Sequence, residues 1–261
     1  LADENDDDRA DDIRVVFSGF GTADTHQNIN SFTWSPGGDL LFCQGMHAFS
    51  RIETPWGIAR ANWSAVWRLR TDSLRLDPYL SPNLSSDNSW GITFGRFGEM
   101  YLKGNDKQLY DASPAMVPTT NPLKMEAGYG LMGRTTAKSM DIEFVETAHL
   151  PENMQGTFLI AGYFDRSIEH FGPYREGSGI KCERFPKFLE CDHPAFRPLE
   201  ITIGPDGAIY VLDWFNPIIG HYQASFRHPS RDKTHGRVWR ITAKQRPLVK
   251  PPDITTNSVR L

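Results

Sequence analysis

Apolar and polar residues alternate along the chain in short runs, and one pattern of alternation, turn and alternation recurs four times. Each copy predicts a β-hairpin, because alternation of period two places every second side chain on one strand face and a turn glycine accepts a positive φ. Helical periodicity is almost absent, and 22 Gly and 18 Pro punctuate the chain. The copies are SFTWSPGGDLLFCQG (31–45), GITFGRFGEMYLKGND (91–106), MDIEFVETAHLPENMQGTFLIAGYFD (140–165) and LEITIGPDGAIYVLDW (199–214), with turn glycines Gly38, Gly98, Gly156 and Gly207.

The spacing of these hairpins predicts an all-β fold, a β-propeller. The turn glycines stand 51 to 60 residues apart, somewhat more than the roughly 40 to 50 residues of common blade repeats, which indicates insertions. About four blades are visible, and we expect them to form part of a six- or seven-bladed propeller; an irregular β-sandwich is the alternative. We expect an acidic linker or calcium loop at 1–12, blades at 13–247 and a C-terminal linker at 248–261.

Composition narrows the possible partners. The 28 basic and 32 acidic residues give a net charge of −4, so no basic face is expected and no nucleic-acid partner. No apolar run approaches the roughly 18 to 20 residues that span a bilayer, so we expect no transmembrane segment in this chain. The three cysteines lack C-x-x-C spacing and predict neither a zinc site nor a c-type haem attachment site, while a Cys182–Cys191 disulfide stays open.

Polar residues gather where the loops precede the first strand and follow the second strand of each hairpin. These loops lie at one end of a propeller, here called the mouth, where such folds bind ligands. The alternative is that loop ends are polar in any protein. The mouth candidates are Asp24, His26, Gln44, Asp87, Asn88, Asn105, Asp106, Lys138, Asp165, Arg197 and Asp213.

Four segments carry a family resemblance: DWFNPIIGHYQASFRHPSRDKTHGRVWRIT (213–242), GTADTHQNINSFTWSPGGDLLF (21–42), ETPWG (53–57) and FRPLEITIGPDGAIYVLDW (196–214). With these motifs the chain resembles the bacterial membrane-bound dehydrogenase family, whose propeller is similar to quinoprotein sugar dehydrogenases. The resemblance implies an extracytoplasmic setting, periplasmic or associated with the cell envelope, and a sugar or polyol substrate. It also implies electron transfer to a c-type haem domain or partner, with pyrroloquinoline quinone and calcium as cofactors.

One position departs from the resembled enzymes. Their catalytic base is a histidine nine residues before the proline of the G-P-D-G-type turn, and Gln27 occupies that place here. His26 stands one residue earlier, where strand alternation points a side chain to the opposite face. His26 can therefore replace the base only if the strand begins irregularly.

The remaining chemistry is assigned by residue type. Oxidation of a hydroxyl needs a base that titrates near neutral pH, and the catalytic candidates are His26, His221 and His235. Arginines can hold carboxylates of a cofactor or an acidic substrate through forked hydrogen bonds, and tryptophans can stack on a ring. The candidates for binding substrate or cofactor are Asp24, Gln27, Asn88, Trp90, Lys138, Arg197, Asp213, Trp214, Asn216 and Arg231.

The acidic N-terminus offers a candidate metal site. Asp3, Asn5, Asp7 and Asp11 have the spacing of positions 1, 3, 5 and 9 of a calcium loop. Asp8 replaces the usual glycine at position 6 and the acid at position 12 is missing, so a solvated acidic linker is the rival interpretation.

We therefore expect an extracytoplasmic oxidoreductase acting on a sugar or polyol. The alternative is a non-catalytic propeller module that binds glycans or proteins through the same mouth. A third possibility is a propeller that only organises neighbouring domains, which predicts no pocket.

Overall fold

The computed structural model describes residues 4–5, 7, 9–23, 27–80, 88–104, 107–112, 130–219 and 227–252, and this part of the chain is built almost wholly of antiparallel strands. The first blade contains β1 (Ile29–Trp34) and β2 (Leu40–Gln44), an inserted hairpin of β3 (Phe49–Thr54) and β4 (Gly57–Asn62), then β5 (Ala65–Arg70) and β6 (Arg75–Leu80). The second contains β7 (Gly91–Phe94), β8 (Met100–Gly104), β9 (Gln108–Asp111) and β10 (Leu131–Arg134).

The third blade contains β11 (Met140–Val145), a 3-10 turn (Glu152–Met154), β12 (Thr157–Gly162), β13 (Ser167–Glu176), β14 (Gly179–Arg184) and a short β15 (Leu189–Glu190) that pairs with β13. The fourth contains β16 (Pro198–Ile203), β17 (Ile209–Asp213) and β18 (Arg237–Ile241).

Within the described residues no helix is long and apolar enough to cross a membrane.

The predicted hairpins are confirmed. The first two strands of every blade pair antiparallel, as β1 with β2, β7 with β8, β11 with β12 and β16 with β17. The turn glycines Gly38, Gly98, Gly156 and Gly207 have φ values of 85°, 84°, 71° and 79°, a conformation that favours glycine. The local sequence therefore determines these turns.

The sheets are arranged as propeller blades. Each adds its strands outward in chain order, and the first strands β1, β7, β11 and β16 surround an axial cavity of about 320 Å³. Apolar clusters fill the space between neighbouring blades, as where Leu41 and Val66 meet Ile92 and Leu102. The all-β propeller is thus confirmed, and the β-sandwich alternative is not.

The first and last blades each keep an apolar face open. Phe32 and Trp34 of β1 are 53% and 60% exposed, and Leu212 and Val238 of the fourth blade are 41% and 63% exposed. The faces between blades are covered, so further blades would bury these surfaces. A ring of six or seven blades stays a prediction, as do the boundaries at residues 12 and 247.

Two carboxylates connect the inner strands of the third and fourth blades. Asp141 accepts a hydrogen bond of 2.7 Å from the backbone N–H of Ile201, and Glu143 accepts one of 2.9 Å from Ile203. Burial raises the pKa of Asp141 well above its usual range and that of Glu143 from 4.5 to about 7. These carboxyls therefore hold neighbouring blades together near the axis, and their protonation state matters for stability.

Replacing Glu143 by Gln should reduce the pH dependence of stability. The folded state binds this proton more tightly than the unfolded chain, so the unfolding free energy of the native protein should fall between pH 4.5 and about 7. At about 1.4 kcal/mol per pH unit, the loss is on the order of 3 kcal/mol. Urea denaturation at several pH values measures it, with the half-exposed Glu146→Gln as control. Equal pH slopes in the Glu143→Gln variant and the native protein would contradict this assignment.

Candidate functional site

Strand β17 of the fourth blade ends at the mouth with Asp213, whose carboxylate is buried. Its Oδ1 accepts hydrogen bonds from the backbone N–H groups of Arg197 (2.8 Å) and Phe215 (2.9 Å). Its Oδ2 accepts one of 3.1 Å from the indole Nε1 of Trp239. One side chain thereby ties together the three strands of this blade and the loop that follows β17.

Arg197 is also buried, and its guanidinium lies against backbone carbonyls. It donates hydrogen bonds to the carbonyl oxygens of Asn216, Tyr163, Phe196 and Pro217 at 3.1 to 3.5 Å. Burial, and then the nearby Arg166, lower the pKa of Arg197 below its ordinary value. This arrangement supports a structural role, because the groups that would fork onto a ligand carboxylate already hold the mouth loop.

The loop after Asp213 contains Phe215, whose ring contacts side chains from two other segments. Phe215 has a φ of 50°, a conformation that costs a non-glycine residue energy unless its surroundings impose it. The guanidinium of Arg237 lies 3.6 Å from the ring centroid, and the imidazole of His193 stacks at 5.3 Å with an interplanar angle of 24°. The adjoining Asn216 is buried and donates to the carbonyl of Asp232 at 3.2 Å.

Asp232 and His235 form an oriented pair beside this ring. Asp232 Oδ2 lies 2.7 Å from His235 Nδ1, and Oδ1 accepts from the backbone N–H groups of Thr234 (2.9 Å) and His235 (3.0 Å). The hydrogen bond from the Thr234 backbone, followed by those of His235, lowers the pKa of Asp232 to about 2. The carboxylate holds the Nδ1 side of the ring, so the neutral form of the imidazole carries its proton on Nδ1 and offers Nε2 as an acceptor. The His235 side chain is 67% exposed.

A groove of about 660 Å³ opens beside Asp232 and Thr234, which line it, while His235 itself is not a lining residue. Proline and aromatic residues form part of its wall, and basic residues form most of the rest. Asp232 is the one acidic residue among the described residues that line it. The lining residues are His193, Pro194, Ala195, Phe215, Pro217, Arg227, His228, Pro229, Ser230, Arg231, Asp232, Lys233 and Thr234.

Several candidates therefore lie together at the mouth of the fourth blade, namely Arg197, Asp213, Trp214, Asn216, Arg231 and His235. Trp214 is 41% exposed, and Arg231 donates to the carbonyl of Ile218 at 3.4 Å. His26, His221 and Asp24 lie outside the described residues, so their roles stay predictions.

Other candidates belong to the first three blades. Gln27 is 1% exposed, and neither of its amide atoms has a hydrogen-bond partner in the described structure. Asn88 is buried and accepts from the backbone N–H of Met46 at 3.2 Å. Trp90 is buried, with the ammonium of Lys138 5.6 Å from its ring. These contacts are typical of a packed loop layer, and none of these residues is among the described residues that line the groove.

The expected calcium loop is a compact turn where it is described. Asp11 accepts hydrogen bonds from the backbone of Glu4 (2.8 Å) and the amide of Asn5 (3.5 Å), while Asn5 Oδ1 accepts from the backbone of Asp7 (3.0 Å). Asp3 lies outside the described residues. In the described part of the chain no three His, Cys, Asp or Glu residues are grouped to hold a metal. Cys43, Cys182 and Cys191 are free thiols, so the alternative of a Cys182–Cys191 disulfide is excluded.

Sequence reasoning missed Asp232, Phe215 and His193 as parts of the site. The spacing D-x-x-H at 232–235 is a local signal that could have indicated a pair within one turn. The stacking of His193 on Phe215 joins residues more than twenty positions apart, so periodicity does not reveal it.

Blades around an axial cavity, with a basic and partly aromatic groove at the mouth of one of them, define a β-propeller domain with a candidate ligand-binding groove. The chain belongs to the family described as Domain of unknown function (DUF7133), whose model matches residues 1–115 and 108–245. No curated protein matches the chain significantly.

Solved structures of similar fold share little sequence with this chain. Virginiamycin B lyase from Staphylococcus aureus is 14% identical over 84% of this chain and 71% of its own, with a TM-score of 0.40. An oxidoreductase (glucose dehydrogenase) from Thermus thermophilus is 12% identical over 86% and 98%, with a TM-score of 0.41. The soluble aldose sugar dehydrogenase from Escherichia coli, in its apo-form, is 12% identical over 72% and 79%, with a TM-score of 0.42. At such values the propeller assignment rests on the sheets themselves.

Replacing Arg197 by Met should destabilise the fold. The change leaves the loop carbonyls without their donor, and each buried unsatisfied group costs about 1 to 3 kcal/mol. We expect a loss of at least about 3 kcal/mol in urea denaturation. Arg240→Met, which removes an exposed ion pair with Asp206, should cost much less, because solvent screens such a pair. If the Arg197→Met protein kept native stability but lost ligand binding, the structural role would be wrong and Arg197 would belong to the ligand site.

Proposed function

We propose that this chain is the propeller of an extracytoplasmic oxidoreductase that oxidises a sugar or polyol at the mouth groove of the fourth blade. The observation that supports the proposal is the Asp232–His235 pair, with 2.7 Å between Oδ2 and Nδ1. An imidazole oriented by a carboxylate and open at Nε2 is an arrangement suited to general-base catalysis. The resemblance to the membrane-bound dehydrogenase family points to the same class of reaction.

The reaction removes a proton from a hydroxyl group and a hydride from the carbon that bears it. In the proposed mechanism His235 Nε2 accepts the proton, and the Asp232 carboxylate stabilises the imidazolium that forms. A two-electron acceptor of the quinone class would supply the oxidising chemistry: it would take the hydride with both electrons of the broken C–H bond and leave a carbonyl product. Phe215 and Arg237 restrict where the His235 ring can lie, because Phe215 meets it edge-on at 6.1 Å.

Pyrroloquinoline quinone and calcium were expected as cofactors. The described residues do not fit them, because the guanidinium of Arg197 is bonded to backbone carbonyls and no three His, Cys, Asp or Glu residues among the described residues are grouped to hold a metal. We therefore assign no step to a residue that holds the quinone. Calcium binding by Asp3, Asn5, Asp7 and Asp11 is a part of the proposal that their spacing alone supports. A periplasmic location and transfer of electrons to a c-type haem partner are parts that the resemblance alone supports.

A non-catalytic binding module is the second candidate. The observation in its favour is the openness of the site, since the His235 side chain is 67% exposed. Chemistry that excludes water usually needs a more enclosed position. The same groove would then bind glycans or an acidic protein surface without oxidising them.

An oxidation assay separates the two candidates. The chain, supplied with an electron-accepting dye of the quinone class, is tested with and without added pyrroloquinoline quinone and calcium against a panel of aldoses, polyols and sugar acids. We expect turnover, a loss of about 10² to 10⁴-fold in kcat for His235→Ala, and a smaller loss for Asp232→Asn. His47→Ala, an exposed histidine of the first blade, is the matched control.

Full activity in the His235→Ala protein would contradict the proposed base. Saccharide binding without oxidation of any compound in the panel, by protein shown to be folded, would favour the binding module.

A further inference from the structure

The basic character of the groove points to the substrate class. Arg227, His228, Arg231 and Lys233 line one part of it, and His193 lies on another part. The acidic residue of the lining, Asp232, is already engaged by His235 and by the backbone of its own turn. Lys233 therefore offers a positive charge to a ligand in the groove.

His193 and His228 can each donate a hydrogen bond even when the imidazole is neutral. The backbone N–H of Ala195 donates to His193 Nδ1 at 3.2 Å, and the backbone N–H of Ser230 donates to His228 Nδ1 at 3.2 Å. A neutral imidazole that accepts at Nδ1 carries its proton on Nε2. Both rings thus present an N–H donor beside cationic side chains, which is a combination that recognises anionic oxygens.

The groove also has the room and the surfaces for a saccharide. Its volume of about 660 Å³ lies within the range of roughly 300 to 1,000 Å³ in which proteins hold small molecules. Pro194, Pro217 and Phe215 supply apolar surface against which the C–H face of a sugar can pack. A neutral polyol would use this surface and would make no use of the Lys233 charge.

We infer that the groove binds an acidic saccharide, whose carboxylate or sulfate group is held by His193, His228 and Lys233 while a ring hydroxyl faces His235. This inference rests on the proposed function for the reaction, and on the groove alone for the charge of the ligand. Uronic acids and sulfated sugars share the relevant chemistry, an anionic oxygen group on a hydroxylated ring. The groove would then discriminate against neutral sugars of the same size.

Calorimetric titration of the full chain tests the inference. The probes are trigalacturonate, the neutral galactotriose of the same linkage and a sulfated galactose disaccharide. We expect trigalacturonate or the sulfated sugar to bind at least about 10-fold more tightly than the neutral trisaccharide at low salt, with affinity falling as salt rises. The two charged probes distinguish a carboxylate site from a sulfate site.

Variants assign the effect to the groove. Lys233→Glu and His193→Ala should each weaken binding of the charged probe by about 10-fold or more, while Lys244→Glu, the same charge change outside the groove lining, should leave it unchanged. Thermal unfolding of each variant shows that it is folded. Because Lys233 is exposed at the surface, its substitution should not affect folding.

Three results would overturn the inference. These are equal affinity for the neutral and charged trisaccharides, equal effects of Lys233→Glu and Lys244→Glu, and displacement of the saccharide by equimolar pyrroloquinoline quinone, which would make the groove a quinone site. The proposed oxidation is tested independently of binding, because the His235→Ala protein should lose turnover and still bind the saccharide. Binding without turnover would leave the acidic saccharide assigned and the oxidoreductase rejected.

Discussion

The buried carboxylate of Asp213 is the constraint on which the candidate site depends. It accepts hydrogen bonds from the backbone N–H of Arg197, just before β16, from the loop after β17 and from Trp239 of β18. One side chain at the end of β17 therefore connects the mouth ends of all three strands. Arg197 then fixes the carbonyls of the same loop. The ring of Phe215 owes its unusual backbone conformation to these bonds, and the position of His235 follows from that ring and from Asp232. A mobile loop could not hold such an arrangement.

The molecule separates its charges along the propeller axis. Acidic groups lie between the inner strands, where Asp141 and Glu143 bridge the third and fourth blades and burial favours their protonated forms. Basic groups line the groove at the mouth, where Lys233 and Arg227 reach solvent. The acids near the axis contribute to the scaffold, and the exposed ammonium group of Lys233 can reach a ligand. An acidic saccharide would therefore be attracted to the mouth and not to the axial cavity.

The sequence predicted what local chemistry determines. The four hairpins were predictable because alternation and a turn glycine suffice to define them, and Gly207 additionally sits where a side chain would meet Thr147 Oγ1 at 2.5 Å. Roles that depend on contacts between distant parts of the chain were harder to predict from the sequence. Arg197 and Asp213 stood out as polar mouth residues, yet the partners that occupy their polar groups come from distant carbonyls and strands. The inserted hairpin of β3 and β4, anchored through the buried amide of Gln44 to Ser50 and Trp63, lay between the recognised copies and was not predicted.

The central claim is that the Asp232–His235 pair faces the ligand in the groove. Nitrogen NMR of the imidazoles, in protein labelled at histidine and titrated with trigalacturonate, tests it most directly. The account predicts that His235 keeps its proton on Nδ1 and that its Nε2 resonance shifts on saturation, together with those of His193 and His228. Saturating ligand that shifts other histidines, such as His47 or His170, and leaves His235 unchanged would contradict it.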